Sequence, residues 1–185
     1  MTLPPTRYTS TAITLHWLIF ALIACGFALA LYMTGLPLSP QKLKYISWHK
    51  WIGVTVFALA LARVCWRLTH PAPPLPASIP VWQRSAANAT HALLYGLIVV
   101  IPLTGWLMSS ALGVQTVYLG IVPLPNPLAR DKELGELLRS FHVLLNYTML
   151  ALVAIHVAAA LKHHLVDRDA VLARMLPLVK PRGEN

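Results

Sequence analysis

Four of the eight histidines lie where a bilayer would normally exclude an ionisable side chain. His142 and His156 are fourteen residues apart in one apolar segment, so a helix would place them on the same face, about 21 Å apart along its axis. His49 and His16 lie in two other apolar segments, at depths matching His142 and His156 respectively. Two imidazoles on separate helices can hold one haem iron between them. The pattern therefore predicts two stacked bis-histidine b-type haems, whose irons have no open position and would transfer electrons.

Other interpretations of these four histidines are open from the residues alone. Any one of them, taken singly, is equally consistent with an interfacial residue at headgroup level. A site for a metal other than haem iron would need carboxylates or cysteines at the same depth as the histidines, and none is expected at those depths. A proton-relay transporter also uses intramembrane histidines, but it normally has more than four spans.

Three further histidines lie near the same predicted inner level. His91 opens the third apolar segment at the depth of His16 and His156, and it competes with them for the inner iron. His163 follows His156 by seven residues, on the same helix face and about 10 Å further along. We expect His91, His163 and His164 to contact haem propionates or a quinone carbonyl, or to lie in the membrane interface.

Two arginines form an i,i+4 pair at the inner end of the second apolar segment, Arg63 and Arg67. Their guanidinium groups suit the carboxylates of haem propionates, with which they can form paired hydrogen bonds. The alternative is that both side chains extend to the interface and keep their charge in water.

The composition predicts an integral membrane protein. Of the 185 residues, 57% are hydrophobic and 11% are charged, against roughly a quarter charged in a typical soluble domain. Four apolar segments are each long enough to cross a hydrocarbon core of about 30 Å. We predict one all-α membrane domain over residues 1–185, a four-helix bundle with the two haems between its helices. The predicted spans are about 13–34, 46–68, 91–112 and 140–163.

Basic residues set the predicted orientation. Nine lysines and arginines fall on the side of both termini and six on the other, which favours cytoplasmic termini. The six on the predicted outer side are Lys42, Lys44, Lys50, Arg130, Lys132 and Arg139. The net charge of +9 is explained by this distribution, so no nucleic-acid partner is expected. The long outer loop carries a charged stretch over 131–139, which we expect to form a short interfacial helix before the fourth span.

The order and spacing of several motifs resemble one known family, the bacterial cytochrome b561 group of four-helix di-haem membrane proteins. The resemblance covers nearly the whole chain. The matching motifs are ITLHWLIF, ISWHKWIGVTVFALALARVCWRL followed by PAPPLP, THALLYGLIVVIPLTGW, and SFHVLLNYTMLALVAIHVAAALKHHLVDRDAVLARMLP. The architecture is also similar to the cytochrome b subunits of formate dehydrogenases and nickel–iron hydrogenases. The resemblance implies that His16 and His156 bind the inner haem, that His49 and His142 bind the outer haem, and that His91 is a neighbour.

The resemblance also carries a function. Stand-alone members are similar to superoxide oxidase, which implies passage of electrons from periplasmic superoxide through two haems to ubiquinone, in a multi-pass protein of the bacterial inner membrane. The basic outer loops would attract an anion, although Asp131, Glu133 and Glu136 dilute their charge. The alternative is an electron-transfer subunit that links a dehydrogenase or hydrogenase, as its protein redox partner, to the quinone pool. A third hypothesis is a haem-free scaffold or small transporter.

Overall fold

Four long helices make up most of the structure, a computed structural model that describes residues 7–76 and 78–176. They are α1 (Ser10–Thr34), α2 (Pro40–Thr69), α3 (Val81–Ala111) and α4 (Lys132–Lys162). Each contains a stretch long and apolar enough to cross a membrane. The predicted all-α, four-helix membrane bundle is confirmed.

The helices begin at capping residues that lie upstream of the predicted spans. The Ser39 hydroxyl accepts a hydrogen bond from the backbone N–H of Lys42 at 3.2 Å, and Pro40 occupies the first turn of α2. The Asp131 carboxylate accepts one from Leu134 N–H at 3.0 Å and starts α4. The stretch over 131–139 is helical as expected, but it is the first part of α4 and not a short helix of its own, because the Asp131 cap begins a helix that continues without a break into the apolar span.

Neighbours in sequence are neighbours in space, since α1 packs on α2, α2 on α3, and α3 on α4. A small buried cluster at the centre consists of Ala60, Ile98, Ile101 and Met149. Between α1 and α4 the approach is through rings, such as Phe27 against Tyr147 with centroids 6.1 Å apart. Many other large apolar side chains are exposed, as expected for a surface covered by lipid.

A short antiparallel hairpin lies on one end of the bundle, within a region where the sequence predicted only a loop. Its strands are β1 (Val117–Tyr118) and β2 (Val122–Pro123), joined by a turn with Gly120 at φ 74°. The Trp51 indole N–H donates to Val117 O at 2.7 Å, and the Tyr118 hydroxyl lies 2.9 Å from the Thr55 hydroxyl. These bonds hold the hairpin against α2. We call this end of the bundle the hairpin end.

The opposite end, here called the terminal end, gathers the start of α1 and the segment after α4. A π-helical turn over His163–Asp167 and a short 3-10 turn over Leu172–Arg174 follow α4. The Trp17 indole N–H donates to Met175 O at 2.8 Å, and Arg174 donates to Pro74 O at 2.6 Å. The chain after α4 is thereby folded back over the ends of α1 and α2.

Candidate functional site

At the hairpin end, α2 and α4 bring two predicted ligands face to face. The imidazole rings of His49 and His142 have centroids 6.4 Å apart and an interplanar angle of 85°. Both residues are half-buried. Together they border a cleft whose other walls are almost wholly apolar, formed by α1, α2, α3 and α4.

A backbone carbonyl on α1 orients His49. Its Nδ1 lies 3.0 Å from Gly26 O, so a proton on Nδ1 donates to the carbonyl and the lone pair is left on Nε2. Gly26 is buried, and a Cβ there would come within 3.2 Å of the Ile52 side chain. The glycine therefore lets α1 approach α2 closely enough for this hydrogen bond to form.

Two groups on α3 that were not predicted from the sequence hold His142 in place. Its Nδ1 lies 3.1 Å from Ile101 O and 3.0 Å from Thr104 Oγ1, and the Thr104 hydroxyl itself donates to Ile101 O at 2.7 Å. A Cβ on Gly105 would come within 3.1 Å of His142 Cε1. The motif PLTGW contained a signal of this contact, because its glycine has no Cβ and so allows a ring from another helix to approach the backbone closely.

The second predicted pair meets at the terminal end. His16 on α1 and His156 on α4 have ring centroids 6.3 Å apart, with an interplanar angle of 69°. His91 on α3 also approaches His156, at 5.2 Å and again edge-on. Three imidazoles thus cluster here, whereas the hairpin end has two.

The spacing of each predicted pair fits one iron held between two imidazoles. Two metal–nitrogen bonds of about 2 Å, with roughly 1 Å from each nitrogen to its ring centre, place the centroids about 6 Å apart. The pairs at 6.3 Å and 6.4 Å match this value, and the 5.2 Å of His91 and His156 is too short. A Cβ on Gly53 or Gly96 would meet no atom within 4 Å, which suits a flat macrocycle beside α2 and α3. The residues therefore fit the predicted group.

The two arginines that were predicted to contact haem propionates lie in different surroundings. Arg63 donates to Ala12 O at 2.7 Å, and its guanidinium carbon lies 5.5 Å from the centre of the Tyr95 ring. Arg63 is thus drawn into the bundle between α1 and α3, whereas Arg67 is exposed.

The two histidines that follow α4 lie in the π-helical turn. His163 Nδ1 is 2.7 Å from an Asp169 carboxylate oxygen and 3.2 Å from one of Asp167, so this nitrogen is already engaged. His164 is half-buried. The expectation that these residues contact a propionate or a quinone stays a prediction.

Four membrane-length helices with facing histidine pairs are typical of membrane electron-transfer cytochromes. A sequence profile described as prokaryotic cytochrome b561 matches residues 7–178. The chain therefore belongs to the prokaryotic cytochrome b561 family, as the motifs indicated. Its members bind b-type haem, and the chain is a multi-pass bacterial membrane protein.

Relatives match over almost the full length of the chain. "Cytochrome b561 homolog 2" of Escherichia coli (strain K12) is 34% identical over 180 residues, covering 93% of this chain and 92% of the relative. "Cytochrome b561 homolog 1" of the same organism is 28% identical over 174 residues, with 92% and 97% covered. "Probable superoxide oxidase CybB" of Yersinia pestis is 26% identical over 181 residues, with 96% and 98% covered.

Proposed function

We propose that the chain carries electrons between two b-type haems, one held by His49 and His142 and the other by His16 and His156. The observation that carries this proposal is the centroid spacing of 6.4 Å and 6.3 Å within the pairs. A b-type haem bound by two histidines accepts and gives up one electron at a time without binding oxygen. The helices hold both imidazoles of each pair in place, so little reorganisation accompanies the transfer.

His91 is a neighbour of the terminal-end pair in this proposal and not an iron ligand. Its ring is edge-on to His156 at 5.2 Å, closer than two ligands on opposite sides of one iron would be. Arg63, Arg67 and His163 lie at or beyond the same end and are candidates for propionate or quinone contacts.

The donor we propose is superoxide and the acceptor is ubiquinone, with the hairpin end facing the periplasm across the bacterial inner membrane. Two superoxide anions would each lose one electron and leave as O2, while one ubiquinone takes up two electrons and two protons and leaves as ubiquinol. A relative named a probable superoxide oxidase supports this choice. Several lysines also lie at the hairpin end, and one of them, half-buried Lys50, directly follows the predicted ligand His49.

Some of the basic residues at the hairpin end favour an anionic donor. Lys44 stacks over the Trp48 ring at 4.9 Å, and Lys50 points toward Val114 O at 3.4 Å, so both keep their charge unpaired by a carboxylate among the described residues. Arg139, in contrast, is neutralised by Glu136 at 2.8 Å. A local excess of positive charge raises the rate of encounter with an anion.

The test is a superoxide pulse applied to the haem-loaded protein in lipid nanodiscs. We expect the haem absorbance to become reduced after the pulse and to reoxidise when ubiquinone is added. Superoxide dismutase added before the pulse should abolish the reduction. If dithionite reduces the haems fully but superoxide leaves them oxidised, superoxide is refuted as the donor. Co-purification of a large soluble dehydrogenase would favour the role of an electron-transfer subunit.

A matched pair of lysine variants tests the role of charge. Lys50→Gln should slow reduction by superoxide by roughly 2- to 10-fold at low ionic strength, with less effect at high salt. Lys162→Gln at the terminal end, where Lys162 pairs with Asp167 at 2.6 Å, should leave the rate unchanged. Equal rates in Lys50→Gln and the parent protein would refute steering by Lys50.

A further inference from the structure

We propose that Thr104 and Arg63 set a potential difference between the two haem positions, so that electrons run from the hairpin end to the terminal end. Neither residue is a ligand. Thr104 acts through His142, and Arg63 acts through its charge. The inference rests on the proposed haem ligation and adds a direction that comes from the protein around it.

The hairpin-end ligands are surrounded by hydrogen-bond acceptors. His49 Nδ1 faces Gly26 O at 3.0 Å, and His142 Nδ1 faces both Ile101 O at 3.1 Å and Thr104 Oγ1 at 3.0 Å. Because the Thr104 hydroxyl gives its own proton to Ile101 O, its oxygen is free to accept from Nδ1. An N–H that donates to oxygen makes the imidazole a stronger electron donor to iron, which favours the oxidised metal.

The terminal-end ligands lack this arrangement. Within residues 7–76 and 78–176, the rings of His16 and His156 contact other rings and take part in no hydrogen bond. Their imidazoles are therefore weaker donors to a metal than those of the hairpin-end pair. This difference alone favours the reduced metal at the terminal end.

Arg63 acts in the same direction by a separate route. Its guanidinium donates to Ala12 O, one helical turn before His16, and lies over Tyr95, one turn after His91. The cation thus sits beside the turns that carry the terminal-end histidines. Its contacts among the described residues are a carbonyl and an aromatic face, with no carboxylate. A positive charge in a region of low dielectric stabilises the state that has gained an electron.

Redox-titrated optical spectra of the haem-loaded protein test this inference. His142→Ala and His156→Ala first assign the two spectral components to the hairpin end and the terminal end. We expect the parent protein to show the higher potential at the terminal end. If neither variant removes a component selectively, the proposed ligation fails. If the components are assigned but the terminal-end potential is equal or lower, the ligation stands and the direction is overturned.

Variants of Thr104 test the hydrogen bond. Thr104→Val keeps the shape and removes the hydroxyl, and it should raise the ratio of reduced to oxidised haem at the hairpin end roughly fivefold at a fixed ambient potential, which is about 40 mV. Thr104→Ser should restore the parent value. Thr148→Val is the matched control, because the Thr148 hydroxyl also bonds its own helix, to Leu144 O at 3.0 Å, but is exposed to lipid. An unshifted potential in Thr104→Val would exclude the role of Thr104.

Variants of Arg63 test the charge. Arg63→Gln should lower the ratio of reduced to oxidised haem at the terminal end roughly tenfold, equivalent to about 59 mV, and leave the potential of the hairpin-end component unchanged. Arg63→Lys retains the charge and should keep most of the parent potential. A shift that is the same in both variants would indicate a structural effect of losing the Ala12 contact and would overturn the charge argument.

Discussion

Replacing Gly105 by alanine tests whether α3 shapes the position of His142. The added Cβ would lie 3.1 Å from His142 Cε1 and 3.4 Å from its Nδ1. Since ordinary carbon contacts begin at about 3.4 Å, the ring or the helix must yield by about 0.3 Å. That displacement exceeds the tolerance of about 0.2 Å in metal–ligand distances. It also lengthens the Nδ1 bonds to Ile101 O and Thr104 Oγ1, which already measure 3.1 Å and 3.0 Å.

The expected loss of haem affinity follows from the tight packing between Gly105 and the His142 ring. Overfilling a packed site costs about 1–3 kcal/mol, which corresponds to a loss of affinity of about 5- to 150-fold for the hairpin-end haem. The terminal-end haem should be retained, because its predicted ligand His156 lies about 21 Å from His142 along α4. The Gly105→Ala protein should therefore bind close to one haem per chain when haem is limiting. Its remaining spectrum should be that of the terminal-end haem.

The assay is haem stoichiometry by pyridine haemochrome, together with a redox-titrated spectrum of purified protein. Gly35→Ala is the control, since a Cβ there meets only Tyr32 O at an ordinary 3.7 Å and the backbone φ of −75° suits alanine. The control should bind both haems as the parent does. Two haems with unchanged potentials in Gly105→Ala would refute the claim that α3 determines where His142 lies.

Four further substitutions test the site and the fold. His142→Ala should remove the hairpin-end haem alone and His156→Ala the terminal-end haem alone, as measured by haem per chain and the surviving redox component; loss of the same component in both would refute the pairing. His91→Ala should keep both haems, and a fall to one haem per chain would make His91 a ligand. Gly135→Ala should destabilise the fold by about 1–3 kcal/mol without selecting either haem, because its Cβ would fall 2.5 Å from Leu112 Cδ2; an unchanged melting temperature in detergent would contradict this.

The amino-acid sequence by itself determined the class of fold and the geometry within α4. Apolar segments of membrane length predict helices, because only a helix satisfies its own backbone hydrogen bonds in lipid. The fourteen-residue step from His142 to His156 fixes one face and about 21 Å of separation, since both follow from helix geometry and need no knowledge of packing. Helix ends were less accurate, because the caps at Ser39 and Asp131 extend the helices beyond their apolar stretches.

Only the tertiary structure decided what surrounds each histidine. The acceptor for His49 is Gly26, 23 residues away on another helix, and the Thr104 hydroxyl beside His142 is 38 residues away. Such contacts depend on the rotation of each helix about its axis and on how closely two helices approach. Gly105 leaves room for the His142 ring, which depends on how closely α3 and α4 approach. Arg63 likewise lies against Tyr95 because α1, α2 and α3 converge there, a juxtaposition that the periodicity of any single segment does not encode.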